Sequence, residues 1–175
     1  MSKYKVQPTG VERFFDENDL IVSKTDLKGR ITYTNHVFRA IAGYTGAELD
    51  GAPHSLIRHP DMPRCVFKLL WDTIAVGGEV FAYVKNMTKN GDHYWVFAHV
   101  TPSYDANGTM VGYHSNRRVP NRRIVDEVIV PIYRQLLDAE NKTADRKAGM
   151  MAGHALLTGV LKDKGVSYDE FIHTL

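Results

Sequence analysis

One cysteine, Cys65, is the only thiol in this 175-residue chain. An intrachain disulfide framework is therefore excluded, and so is a cysteine-rich zinc site. That scarcity fits a reducing compartment. No uninterrupted apolar run approaches the ~20 residues of a membrane-spanning helix. The N-terminus, MSKYKVQPTGVERFF, lacks the apolar core of a signal peptide. These absences predict a cytoplasmic protein with no membrane span. A charge excess is missing too, since 22 Lys and Arg face 20 Asp and Glu, for a net +2. Nucleic acid is thus not expected as a partner, because its binders usually carry a pronounced basic excess. Eight histidines are present, yet none stand in a His-x3-His spacing, and no metal site is expected. No Ser-His-Asp signature or phosphate-cradling Gly-rich loop occurs, so the sequence does not read as an enzyme.

What remains is ordinary globular material, 43% hydrophobic and 24% charged. The length suits one domain with a helical appendage. Residues 1–18 read as an arm with a helical turn or two around Val11, Phe14 and Phe15. LIVSK (20–24) and RITYT (30–34) are β-rich runs around the turn Asp26-Leu27-Lys28-Gly29. Val37, Phe38, Ile41 and Ala42 have helical spacing, ended by Gly43. Pro63 suits the start of a helix that stops at Gly77-Gly78. Three strand-like runs follow at 79–87, 92–104 and 109–117. Asn90-Gly91 and Asn107-Gly108 separate them as hairpin turns.

Two strands, short helices and a three-strand meander predict an α+β domain. Its five-stranded antiparallel sheet carries helices on one face. Beyond Pro120 a one-sided helix is expected, kinked at Pro131. A second helix follows over 148–165, and Ser167 and Glu170 have capping-box spacing.

The stretch from His54 to Asp61 concentrates chemistry. Arg58 offers five donors and a permanent charge, suited to phosphate or a ring carbonyl. His59 donates, accepts or stacks, and Asp61 accepts from a hydroxyl or ring N–H. The same residues also suit an ordinary capped loop. Asn35 and Asn86 end two strands, where each amide serves either a heterocycle or the local backbone. Cys65 reads best as a small buried hydrophobe. His93, His99 and His114 fall on strands, and each is a candidate axial haem ligand.

At these residues a resemblance emerges. From about Leu20 to Arg118 the chain resembles a PAS domain of the bacterial aerotaxis-receptor type. The resemblance rests on SKTDLKGRITYTN, IAGYTGAELDGAPHSLIRHPDMP, VKNMTKNGDHYWV and TPSYDANGTMVGYHS. It implies a PAS fold over 20–119, which the residue pattern flanks with an N-terminal arm or helical cap over 1–19 and a C-terminal helical extension over 120–175. It also implies non-covalent FAD and the reporting of redox state to a signalling partner. Arg58, His59 and Asp61 would then contact the flavin, and His54, Asn35 and Asn86 would line or close its pocket. A homodimer through the arm and sheet is expected. Haem, another small ligand, or a ligand-free adaptor role are the alternatives. One departure is Val80, where many such sequences carry tryptophan. The Asn-Cys-Arg-Phe motif of flavin-photoadduct sensors is absent, so no blue-light adduct is expected.

Overall fold

Turn chemistry sets the sheet. In the computed structural model, which describes residues 6–175, Asp26 accepts from the Lys28 and Arg30 amides across the first turn. That turn joins β1 (Ile21–Asp26) to β2 (Ile31–Thr34). The Asn90-Gly91 turn, with Gly91 at φ 97°, joins β3 (Val80–Met87) to β4 (His93–Tyr104). Asp105 repeats the Asp26 device before β5 (Met110–Arg118). The order is β2-β1-β5-β4-β3, with every neighbouring pair antiparallel.

Side-chain alternation gives the sheet two distinct faces. The registers place Ser23, Thr25, Asn86, Tyr94, Ala98, Tyr113, Ser115 and Arg117 on the inner face. Tyr83, Trp95, Phe97, His99 and His114 take the outer face. Three helices and a 3-10 turn connect β2 to β3 and cover the inner face. They are α1 (His36–Ala42), α2 (Gly46–Leu49), the turn His54–Ile57, and α3 (Arg64–Ala75).

Beyond the sheet lie α4 (Arg122–Ile124), a π-helical turn (Val125–Ile129), α5 (Val130–Asn141), α6 (Arg146–Lys164) and α7 (Tyr168–His173). The kink expected at Pro131 appears as that π turn. Val130 N–H reaches back five residues to Val125 O, just before the proline that has no donor. The capping box at Ser167 forms as expected.

The extension docks. Val125, Ile129, Leu136, Leu157 and Phe171 share one apolar core with Phe38, Val66 and Trp95. Helix α5 meets the outer face, where the Tyr133 ring lies 6.2 Å from Trp95. Edge strand β3 is covered too: Tyr133 donates to Tyr83 O at 2.6 Å, and Lys85 N lies 3.2 Å from Met62 Sδ. Covering an edge blocks stray strand pairing. The short helices thus cover the inner face as expected, and the C-terminal extension meets the outer one.

The N-terminal arm corrects the expected helical cap. Residues 6–20 contain no helix; Glu12 bridges His93, and Arg13 pairs with Asp92 at 2.7 Å. Pairing with the start of β4 satisfies the arm's backbone as an extended chain. Residues 1–5 of that expected cap lie outside the described residues.

Candidate functional site

Between the inner sheet face and α3 lies a cavity of about 130 Å³. Its helical wall is apolar: Phe67, Leu70, Trp71 and Ile74 project from one side of α3. Its floor is mixed. Val84, Ala98 and Val100 alternate with Asn86, Ser115 and Arg117 across three strands. His54, Ser55 and Arg58 close one end from the 3-10 turn and its cap.

Arg117 dominates the electrostatics. It is 3% exposed and forms no ion pair among the described residues. Its Nη2 donates to Ser23 Oγ at 2.8 Å and to His54 Nε2 at 2.7 Å. Its guanidinium sits 5.4 Å from the centre of the Phe38 ring. Burial draws its pKa down to about 10, so it remains a cation at neutral pH. Burial, then the Arg117 charge, pushes His54 down to about 3. His54 is therefore neutral, with Nε2 as the acceptor and the proton on Nδ1.

Four polar side-chain atoms on this wall lack hydrogen-bond partners among the described residues: Arg117 Nη1, Asn86 Nδ2, Ser115 Oγ and Thr25 Oγ1. The Tyr94 hydroxyl, itself without a hydrogen-bond partner among the described residues, is close enough to the Asn86 amide to interact with it. Buried donors without partners each cost ~1–3 kcal/mol, so natural proteins rarely keep several together without a use. Here they converge on one cavity that is otherwise apolar, the usual form of a small-molecule site. A flat heterocycle with acceptor atoms on one edge fits this donor set. The cavity is close in size to engineered ones that hold benzene, ~150 Å³, so a three-ring system requires the α3 wall to move outward.

The residues singled out in the sequence separate into two groups. His54, Arg58 and Asn86 come together at the cavity. Arg58 forms a backbone bridge with Asn86 and stacks 4.0 Å from the Phe67 ring centre. The other three do not line it. Asn35 caps α1, accepting from Phe38 N at 3.0 Å and Val22 N at 3.1 Å and donating to Leu20 O at 2.6 Å. Asp61 turns outward to Lys85 Nζ at 2.8 Å. His59 Nδ1 accepts from Asp61 N at 3.1 Å, and its ring packs 5.7 Å from His93.

The strand histidines lie elsewhere as well. His93, His99 and His114 all belong to the outer face, and His99 bonds Glu79 at 2.6 Å. The one cavity histidine, His54, has its Nε2 lone pair directed at Arg117. No histidine therefore offers the cavity a free axial position. Cys65 is fully buried, and burial followed by Glu140 pushes its thiol up to about 12. It behaves as an inert core residue.

Arg117, Ser115, Ser23 and Thr25 were not among the candidates from sequence. A signal for Arg117 existed in the strand period: it stands two and four residues beyond Ser115 and Tyr113, on their face. Val80, the departure from the usual tryptophan, packs with Leu70, Ile74 and Tyr113 beside the cavity. An indole reaches the cavity from α3 instead, where Trp71 meets the Tyr113 ring at 5.5 Å.

The buried imidazoles make acid lability an expected result. His54 and His59 have folded pKa values of about 3 and about 4, and burial is the main cause of both. The unfolded chain binds their protons near pH 6.5, so it holds more protons than the folded chain below that pH. Stability is complete above about pH 6.5 and falls as pH drops toward 4. Thermal melts across this window should show Tm falling by at least ~5 °C. A flat profile would show that these rings titrate normally.

The sheet order and the inner cavity are those of one fold class. The PAS fold family matches residues 31–117, and that segment of the chain belongs to the family. It is similar in sequence to the aerotaxis receptor of Escherichia coli strain K12, with 42% identity over 123 residues. That match covers 69% of this chain but 23% of the receptor. A PAS domain from Colwellia psychrerythraea superposes with a TM-score of 0.54 at 22% identity, covering 59% of this chain and 88% of that one. The LOV domain of the blue-light photoreceptor Aureochrome1 gives 0.54 at 19% identity, covering 65% and 89%. At such identities these two speak for the fold alone. No helix of the described residues is long and apolar enough to cross a membrane.

Proposed function

We propose that this chain is a cytoplasmic sensor module that holds FAD non-covalently and reports redox or oxygen status to a protein partner. The carrying observation is the buried, ion-pair-free Arg117, with Nη1 unpartnered beside the open donors of Asn86 and Ser115. The choice of FAD rests on the likeness to an aerotaxis receptor. A flavin supplies a flat, acceptor-edged ring that takes up electrons reversibly and gains negative charge.

The chain's own residues then discriminate between the ligand's states. The Arg117 cation favours the more negative one, and the Asn86 amide favours whichever presents an acceptor to it. A switch requires such unequal affinity. The α3 wall carries the difference outward. One side of α3 lines the cavity, while its first residues, Arg64 and Cys65, are held by Glu140 of α5. The docked helices α5 to α7 are the natural transmitter. In this reading Arg58, His54 and Asn86 contact or enclose the ligand. Asn35, His59 and Asp61 position the wall that surrounds it.

The test is the visible spectrum of protein purified without added cofactor, then incubated with FAD and desalted. A two-band flavin spectrum that bleaches with dithionite is expected. A colourless protein that also refuses FAD would overturn the reading, and a sharp Soret band would replace it with haem.

A further inference from the structure

A second groove, of about 260 Å³, lies between the PAS domain and the helical extension. Its lining includes Arg58, Arg64 and Arg146, with Glu140 the only carboxylate. Glu140 is 1% exposed and fully engaged: Oε2 accepts from Arg64 N at 3.0 Å and Arg64 Nε at 2.7 Å, and Oε1 accepts from Cys65 N at 2.7 Å. Its charge is thus already balanced by Arg64. Asp145, next to Arg146, has its Oδ1 bonded to the Lys147 and Ala148 amides of α6. Among the described lining residues, three arginines thus face a single carboxylate. Arg146 is exposed and pairs with no acid among the described residues.

Arg58 lines this groove and the inner cavity alike, so the two are adjacent. A ring bound in the cavity would direct a polar tail past Arg58. We propose that the Arg58–Arg64–Arg146 groove is an anion seat for the phosphates of a nucleotide tail whose ring occupies the inner cavity. This rests on the flavin reading above. Guanidinium forks suit phosphate oxygens, and Arg64 Nη1 takes no part in the Glu140 clasp. The helical extension then becomes part of the ligand site. Arg146 of α6 and Arg58 of the PAS domain would grip one ligand, so occupancy would tie the extension to the sensor domain.

The experiment titrates the flavin-free full chain with FAD, FMN and riboflavin, read by quenching of flavin fluorescence. Wild type is expected to bind FAD and FMN at least tenfold more tightly than riboflavin. Arg146→Gln, at an exposed helix position, should cut that preference several-fold and leave riboflavin affinity unchanged. Equal affinity for FMN and riboflavin would overturn the anion seat, whatever FAD does. So would a preference that Arg146→Gln leaves intact. In either case the flavin reading would survive, because riboflavin still binds. Binding of none of the three would remove both proposals.

Discussion

Arg117→Met is expected to weaken flavin binding while making the flavin-free protein more stable. The two effects have one cause. Arg117 is buried with no acid paired to it among the described residues, and burial already lowers its pKa to about 10. Exchanging a buried ionic group for an apolar one of similar size is often stabilising, here by about 1–2 kcal/mol. Methionine keeps contact with Phe38, and the partners left behind are not stranded. Ser23 Oγ and His54 Nε2 already hydrogen-bond to each other at 3.3 Å. The ligand, by contrast, loses a charge-assisted hydrogen bond worth ~1.5–3 kcal/mol, or roughly ten- to a hundredfold in affinity. Urea unfolding and FAD titration of the same preparation measure both effects. Unchanged affinity would remove Arg117 from the site. A large loss of apo stability would mean that the cation is structural.

Glu140→Ala is expected to be the most damaging single change in the helical extension. Pro63 gives α3 no side-chain cap, so the Glu140 carboxylate supplies one from another helix. Burial raises the pKa of this group, but bonds from the Cys65 amide and from Arg64 outweigh it, and the net direction is down. Its contribution is therefore present above the ordinary carboxylate range and lost as pH falls through the lowered folded value. Glycine makes the approach possible: a Cβ at Gly149 would lie 2.1 Å from Glu140 O, and one at Gly153 would lie 2.7 Å from Glu140 Cγ. Removing the carboxylate strands Arg64 and two backbone amides. The expected cost is about 3 kcal/mol, the low end for a broken buried pair because Arg64 is 21% exposed. Limited proteolysis should then open the 142–145 connection between α5 and α6. A loss below about 1 kcal/mol would show that the apolar core alone docks the extension.

The sheet was legible because its signals are local. Asn90-Gly91, Asp105 to Gly108 and the alternating strands each act over a few residues, and all five strands lie within a residue or two of expectation. The extension's docking was not legible. It depends on Glu140 meeting Arg64 across 76 positions and on two glycines whose use is to let helices approach. The candidate site was half legible. His54, Arg58 and Asn86 reach the cavity, but Asn35, His59 and Asp61 are absorbed by capping and edge contacts. Residue type names a possible ligand group, while the direction of a loop side chain depends on packing the sequence does not print. Arg117 was hidden for a different reason. A strand-end arginine ordinarily faces water, so the period that places it with Ser115 and Tyr113 gains weight only once the register fixes that face as the inner one.

The measurement closest to the central claim is a crystal structure of the FAD-reconstituted protein. The account predicts the ring system between α3 and the sheet. Its acceptor edge should lie within hydrogen-bond distance, about 3 Å, of Arg117 Nη1 and Asn86 Nδ2, with the α3 wall displaced outward. A flavin seated on the outer face, or one that leaves those two donors unpartnered, would contradict it.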